Sequence, residues 1–285
     1  MSKQPLRIVI VGGVAGGASA ATRARRCNEH AEIILLEKDE FVSFANCGMP
    51  YYIGGEIPDR NKLLVATKEM LERRFRLDVR TRSEAVKIDR AARTIIVRKL
   101  TDGTEYAQPY DKLILSPGAA PFVPPMDGAD AHGVFTLRNI ADMDRIRSAV
   151  DAASAGNRKA VVIGAGFIGL EMVEQLVARG ITVSLAELQP QILPPMDPEM
   201  VVPLQEDLKR RGVTLELGNG IRGITKDSDG NATGVELANG KVLPGSLIIL
   251  GMGVRPNTHL AIDAELEIGK TGGIAANVYG QTSDP

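Results

Sequence analysis

Cys47 stands in the stretch SFANCGMPYY, in a loop turned by Pro50. As a thiolate, a lone cysteine can attack a disulfide or persulfide sulfur, and a helix N-terminus or nearby cations raise its reactivity by favouring the charged form. The other cysteine, Cys27, lies 20 residues upstream in an Arg-rich, helix-like segment, and nothing in the spacing makes the two a redox pair. An isolated cysteine is ordinarily a packing residue, and Cys27 is read as one, on the surface or packing face of its helix. A redox role for Cys47 depends on what the rest of the chain can deliver to it.

The glycine-rich turns point to dinucleotides. Residues 6–11 are mostly apolar, as suits a strand buried on both faces, and GGVAGGASAATRARR continues as a small-residue helix. A second strand at 32–36 ends at Glu37. The backbone N–H groups of such a turn receive a pyrophosphate, and the carboxylate accepts from a ribose hydroxyl. Against the pattern G-x-G-x-x-G, Gly12 and Gly17 hold the outer places while Val14 holds the middle one, so this motif alone leaves a ligand-free turn open. The pattern recurs intact at Gly164, Gly166 and Gly169 in KAVVIGAGFIGLEMVEQLVARG, followed by a helix ended at Gly180 and a strand at 182–186 that ends at Glu187. Two such units about one domain length apart point to a flavin and a nicotinamide bound by one chain.

The elements around these turns agree with an α/β protein. A helix is expected near 68–76, β-rich runs at 85–88 and 94–98 followed by a TDGT turn, and then a buried strand in YDKLILSPG. SPGAAPFVPPMDG suits a crossing between domains, helices are expected at 139–153 and 197–211, and LIILGMGVRPN should lead the chain out again. The 285 residues suffice for two cores, and the formal net charge of -1 gives no global bias toward nucleic acid or anionic membrane. Lys3 and Arg7 ahead of IVIVGGVAGGASAA imitate a leader peptide, but four glycines interrupt the apolar run and an Arg-rich segment follows it. No stretch is long and apolar enough to span a bilayer, so a cytoplasmic location is expected. Two cysteines and three scattered histidines have no metal-ligand spacing.

Taken together, IVIVGGVAGG, SFANCGMPYYIG, LILSPGAAP, VVIGAGFIGLE and LIILGMGVRPN resemble the pyridine nucleotide-disulfide oxidoreductases, and among them the coenzyme A-disulfide reductases and NAD(P)H-dependent persulfide reductases. The resemblance implies two Rossmann-like, three-layer domains, the NAD(P) domain inserted into the FAD domain. Residues 1–118 would begin the FAD domain, 119–256 would form the NAD(P) domain, and 257–285 would return toward the FAD domain without completing it. FAD would be bound by Gly12, Val14, Ala15, Gly16, Gly17, Glu37, Lys38, Ser116, Pro117 and Gly118. NADH, with NADPH as the alternative, would be bound by Gly164, Gly166, Phe167, Ile168, Gly169, Glu187 and Gly253.

Cys47 is then the catalytic residue. Relatives with a C-x4-C pair store electrons in an internal disulfide, whereas here Tyr52 stands five residues after Cys47. Single-cysteine relatives alternate between a thiolate and a mixed disulfide with coenzyme A. A helical segment after Cys47 would set the sulfur at a helix N-terminus. The resemblance implies coenzyme A contacts at Ser19, Arg23, Arg26, Ser43 and Asn46, with Arg74 added on a looser alignment. An arginine run such as Arg23, Arg25 and Arg26 is otherwise a solvated helix face. A homodimer is expected of the full-length protein.

Two rival readings differ in their chemistry. An NADH oxidase or peroxidase would cycle Cys47 through sulfenic acid, and relatives of that kind carry a histidine in the first glycine turn, where this chain has Ala15. A non-catalytic nucleotide-binding module or redox sensor would keep Cys47 as a reporter. The closing GQTSDP falls where the family continues into the last flavin-domain strand and a dimerisation domain, so weak FAD binding and loss of the dimer are expected of the isolated chain.

Overall fold

The computed structural model describes residues 4–153 and 159–284. Lys3 of the leader-like start and Pro285 of GQTSDP lie outside the described residues. The chain divides into two compact units. The first comprises the residues up to Ala45, Asn61–Ala120 and the residues from Arg255, and the second comprises Asn46–Arg60 and Pro121–Val254. Asn46–Arg60, which in sequence falls within the expected 1–118 domain, groups with the second unit.

In the first unit a parallel sheet runs in the order Asp78–Arg80, Glu32–Leu36, Arg7–Val11, Lys112–Leu115. Its two central strands are buried from their second residue onward, and the apolar side chains alternate between two covered faces. Ile8, Ile10, Ile33 and Leu35 pack on Ala21 and Leu71 of the helices Gly16–Cys27 and Lys68–Phe75. Val9, Val11, Ile34 and Leu36 pack on Ile88, Ile95 and Val97 of an antiparallel sheet, and on Ala261 and Ala264 of the returning segment. The result is three layers, and each fully buried aliphatic side chain contributes about 1.5–3 kcal/mol.

The second unit repeats the plan. Its parallel sheet runs Thr214–Leu217, Thr182–Glu187, Lys159–Ile163, Leu247–Leu250, Val134–Phe135. Val161, Ile163, Ile248 and Leu250 pack on Ile224, Val235, Leu237 and Leu243 of the antiparallel strands Ile221–Lys226, Ala232–Leu237 and Val242–Pro244. The fold is thus α/β with two Rossmann-type units, as the sequence predicts. The third strand of the first antiparallel sheet, Glu105–Pro109, and the whole antiparallel sheet of the second unit were not anticipated from the sequence. Among the described residues no helix is long and apolar enough to cross a membrane.

Candidate functional site

The two glycine turns are built alike, bond for bond. Gly12 and Gly164 take left-handed φ values of 92° and 98° and donate their N–H groups to Leu36 O and Ala186 O, each at 2.8 Å. A Cβ on Gly17 would fall 1.7 Å from Gly12 O, and one on Gly169 would fall 1.9 Å from Gly164 O. Each helix can therefore cross its strand end only where the side chain is absent. Gly13 donates to Glu37 Oε2 at 2.7 Å and Asp39 N to Oε1 at 2.8 Å. Ala165 and Gln189 serve Glu187 in the same way, at 2.7 and 2.9 Å. Even the backbone that closes over each turn corresponds: Ser43 and Leu193 both have φ 45°, and donate to Gly13 O and Ala165 O at 2.9 Å.

These features fit a dinucleotide on each turn. The helices Gly16–Cys27 and Phe167–Ala178 have no side-chain cap hydrogen bond and no acidic residue in their first turns among the described residues, which leaves N–H groups and the positive helix end to an anion. Among the described residues a Cβ on Gly166 would meet nothing within 4 Å, so the space over the second turn is open. Phe167 and Ile168 are exposed beside it. In the first unit the half-buried Val14 takes the corresponding place. Ser116 N–H bonds Val11 O at 2.8 Å, its Oγ would lie 3.2 Å from a Cβ on Gly16, and Asn257 donates to Pro117 O and, through its backbone, to Gly118 O, both at 2.9 Å. Gly118 and Gly253 have φ values of 68° and 90°, and Lys38 is exposed just past the first carboxylate.

Cys47 is exposed within a 3-10 turn, Asn46–Gly48, that leads into the helix Met49–Gly54. The cap of that helix is Gly48, so the sulfur stands in the turn before the helix rather than at its N-cap. Met49, Pro50 and Ile53 are buried and seat the helix. Around it lie residues that the sequence reading passed over: Glu171, Glu174 and Gln175, spaced to share one face of Phe167–Ala178. The Tyr51 hydroxyl has its pKa pushed up, first by the charge of Glu171, then by burial, Glu174, Glu56 and Cys47. The Glu171 carboxyl is pushed up by burial and then by Glu174. The i, i+3, i+4 spacing was visible in the sequence, but acids on a helix ordinarily read as a solvated face. Cys27 is exposed, at the last residue of its helix.

The arginine run splits in two. Arg25 spends its guanidinium on five carbonyls, those of Phe75 and Ala31 at 2.7 Å, Arg76 at 2.8 Å, Glu29 at 2.9 Å and Asn28 at 3.3 Å. It ties the end of its helix to the segment after Lys68–Phe75. Arg23 and Arg26 are exposed, with no ion-pair or hydrogen-bond partner among the described residues. With Ser19 they follow i, i+4, i+7 spacing, which puts all three on one helix face. Arg74 is exposed, its guanidinium 5.7 Å from the Phe75 ring centroid. These residues and Ser43 belong to the first unit, whereas Asn46 belongs with Cys47 to the second.

The family model for the pyridine nucleotide-disulphide oxidoreductases matches residues 6–285. The chain belongs to this family. Within the pyridine nucleotide-disulphide oxidoreductases it is 35% identical over 279 residues to a coenzyme A disulfide reductase of Staphylococcus aureus, covering 98% of this chain and 61% of that protein. An NADH oxidase of Methanocaldococcus jannaschii is 35% identical over 282 residues, with the same coverage of 98% and 61%. The structure of reduced Bacillus anthracis CoADR-RHD matches with a TM-score of 0.94 at 47% identity, covering 99% of this chain and 50% of that one. The chain thus spans less than two thirds of the length of these relatives. The family depends on FAD and NAD(P)H.

Proposed function

We propose that this chain carries the flavin and nicotinamide units of an NAD(P)H-dependent flavoprotein disulfide reductase, in which Cys47 exchanges with coenzyme A disulfide or with a coenzyme A persulfide or polysulfide. The observation that carries the reading is an exposed Cys47 in the turn before Met49–Gly54, with Tyr52 in place of a second cysteine. That a Staphylococcus aureus relative is a coenzyme A disulfide reductase supports the substrate class.

Bound FAD would supply the two-electron carrier between NAD(P)H and sulfur. The first turn, with the uncapped start of Gly16–Cys27 and the fixed carboxylate of Glu37, suits its pyrophosphate and ribose. The second turn and Glu187 suit the nicotinamide nucleotide in the same way. The Cys47 thiolate attacks one sulfur of the substrate disulfide, the substrate S–S bond breaks, a mixed disulfide forms at Cys47, and the other half leaves as a thiolate that takes up a proton. The electron pair delivered from NAD(P)H then breaks the mixed disulfide, releasing a second thiol and restoring the Cys47 thiolate. In sum, NAD(P)H, one proton and one disulfide give NAD(P)⁺ and two thiols. In the first unit the guanidiniums of Arg23 and Arg26, which have no partner among the described residues, are offered with Ser19, Ser43 and Arg74 to the phosphates and polar groups of coenzyme A.

A second reading, an NADH oxidase, has the Methanocaldococcus jannaschii relative behind it. Against it, Ala15 offers no polar group to a sulfenic acid on Cys47. The experiment is Cys47→Ser in the full-length protein. NADH should still bleach the flavin while coenzyme A disulfide reduction falls to background, and substantial disulfide turnover by the variant overturns the reading. Rapid oxygen consumption without disulfide would favour the oxidase.

A further inference from the structure

We propose that Arg147, Gln175 and Asp144 are positioning residues that clamp the Cys47 segment to the second unit, so that the sulfur is placed by the helices of that unit. The proposal deepens the disulfide reductase reading and rests on it for its catalytic consequence. Asn46–Arg60 is far in sequence from the rest of its unit, and no strand of that unit adjoins it in the chain. Its place is set by the buried Met49, Pro50 and Ile53 and by three polar ties to two helices.

The first tie is Arg147, on the helix Ile140–Ala153, which donates Nη1 to Tyr52 O at 2.6 Å and stands 5.2 Å from the centroid of the Tyr52 ring. Asp151 Oδ2 holds Arg147 Nε at 2.8 Å, and Arg179 bonds the other oxygen of Asp151. The second tie is Gln175, which is 0% exposed and donates Nε2 to Glu56 Oε1 at 2.9 Å. Among the described residues its own Oε1 has no hydrogen-bond partner, and a Cβ on Gly54 would lie 1.6 Å from that oxygen. A buried amide with an unsatisfied oxygen is costly, and its close approach to a glycine suits a role in fixing a backbone position. The third tie is a fork: Arg60 Nε reaches Asp144 Oδ1 and Oδ2 at 2.9 and 3.0 Å, and Nη2 reaches Oδ2 at 2.8 Å. Tyr52 and Gly54 are at the end of the helix whose other end follows Cys47. A displacement of that end is therefore passed along a single short helix to the sulfur.

The test has an arm that needs no variant. In the unaltered chain, hydrogen exchange at rising urea should show the Met49–Gly54 amides opening together with Ile140–Ala153 and Phe167–Ala178. Opening alone, or with the first unit's strands, overturns the clamp. In a Cys27→Ser background, Arg147→Met, Gln175→Leu and Asp144→Asn should each change the rate of iodoacetamide alkylation at Cys47 by about fivefold, since misplacement of about 1 Å can alter reactivity by up to ~100-fold. Arg147→Lys should recover most of the parent rate. Lys241→Met, which removes an ion pair to Glu216 of 2.5 Å elsewhere on the unit, is the control that should leave it unchanged. Parent-like rates in all three clamp variants overturn the proposal, and where a variant does not fold the exchange arm decides. In the full-length holoenzyme the same variants should lower disulfide reduction by about tenfold and spare flavin reduction by NADH. An equal loss of both overturns the positioning role. Should Cys47→Ser retain disulfide reduction, the functional reading fails, while exchange and alkylation still decide the clamp.

Discussion

Gly13 donates its N–H to Glu37 Oε2 at 2.7 Å, and the carboxylate it reaches is buried at the end of the second strand. The other oxygen accepts from Asp39 N at 2.8 Å, so one side chain ties the first glycine turn to the loop after the neighbouring strand. Fixing the carboxylate this way also leaves it pre-oriented, with lone pairs that a ribose hydroxyl can use without further ordering.

Glu37→Leu strands both N–H groups, and hydrogen bonds to charged groups contribute about 1.5–3 kcal/mol each. Unfolding in urea should show a loss of about 3 kcal/mol for Glu37→Leu and a smaller loss for Glu37→Gln, which keeps one acceptor oxygen. A Leu variant as stable as the parent would refute the tie.

Gly166 and Gly169 belong to one motif and carry different constraints. At Gly169 a Cβ would sit 1.9 Å from Gly164 O, so Gly169→Ala must push the helix off its strand, an overpacking that typically costs about 1–3 kcal/mol. At Gly166 a Cβ meets nothing within 4 Å, so Gly166→Ala should melt like the parent yet bind NADH more weakly, because the methyl enters the space over the turn. Thermal melts and NADH titration of both variants check the pair, and a destabilised Gly166→Ala would contradict it.

The parallel strands Arg7–Val11, Glu32–Leu36, Lys159–Ile163 and Thr182–Glu187 and their glycine turns were legible because three signals coincide there: continuous apolar runs, a glycine pattern and an acid at the next strand end, whereas the parallel strands Asp78–Arg80, Val134–Phe135 and Thr214–Leu217 carry no such coincidence. The antiparallel strands Ile221–Lys226, Ala232–Leu237 and Val242–Pro244 have one face against the core and the other toward solvent. Their short, irregular alternation, broken by register shifts near Gly223 and Lys226, gave no comparable signal. The same contrast holds at the site. Its motif singled out Cys47 as a candidate, whereas the tie of Gln175 to Glu56 joins residues 119 apart, and no local pattern encodes such a pairing. Nor does sequence alone separate Arg25, spent on carbonyls, from Arg23 and Arg26 beside it.

Glu171 has its carboxyl pushed up by burial and by Glu174, which makes a pH prediction with a definite sign. Below the usual value of 4.5 the group is protonated in both folded and unfolded chains and has no effect. As pH rises through and beyond that value, the unfolded chain ionises first, and the folded state bears the cost of a desolvated charge near another acid. Glu171→Gln should therefore raise Tm relative to the parent at pH 8 and leave it nearly unchanged at pH 4. A stabilisation confined to acid pH would reverse the assignment.

Glu187 is the half-buried counterpart of Glu37, held by Ala165 N and Gln189 N at 2.7 and 2.9 Å, and the residues that follow it are Leu188, Gln189, Pro190 and Gln191. A carboxylate in this place can accept from a free ribose 2′-hydroxyl and repels a 2′-phosphate. No cation follows it in that stretch to offset the repulsion, and Leu188 is 67% exposed where an arginine could otherwise reach a phosphate. With charges a few ångströms apart at partial solvent exposure, the repulsion amounts to about 1–3 kcal/mol, or roughly tenfold to a hundredfold in affinity. The expected outcome is NADH bound at least about tenfold more tightly than NADPH in titrations of the chain, with the same preference in kcat/KM wherever turnover is measured. Glu187→Gln should narrow that ratio by removing the charge, and adding Leu188→Arg should narrow it further or reverse it. A parent that favours NADPH, or a ratio unmoved by the double variant, would show that Glu187 does not read the ribose.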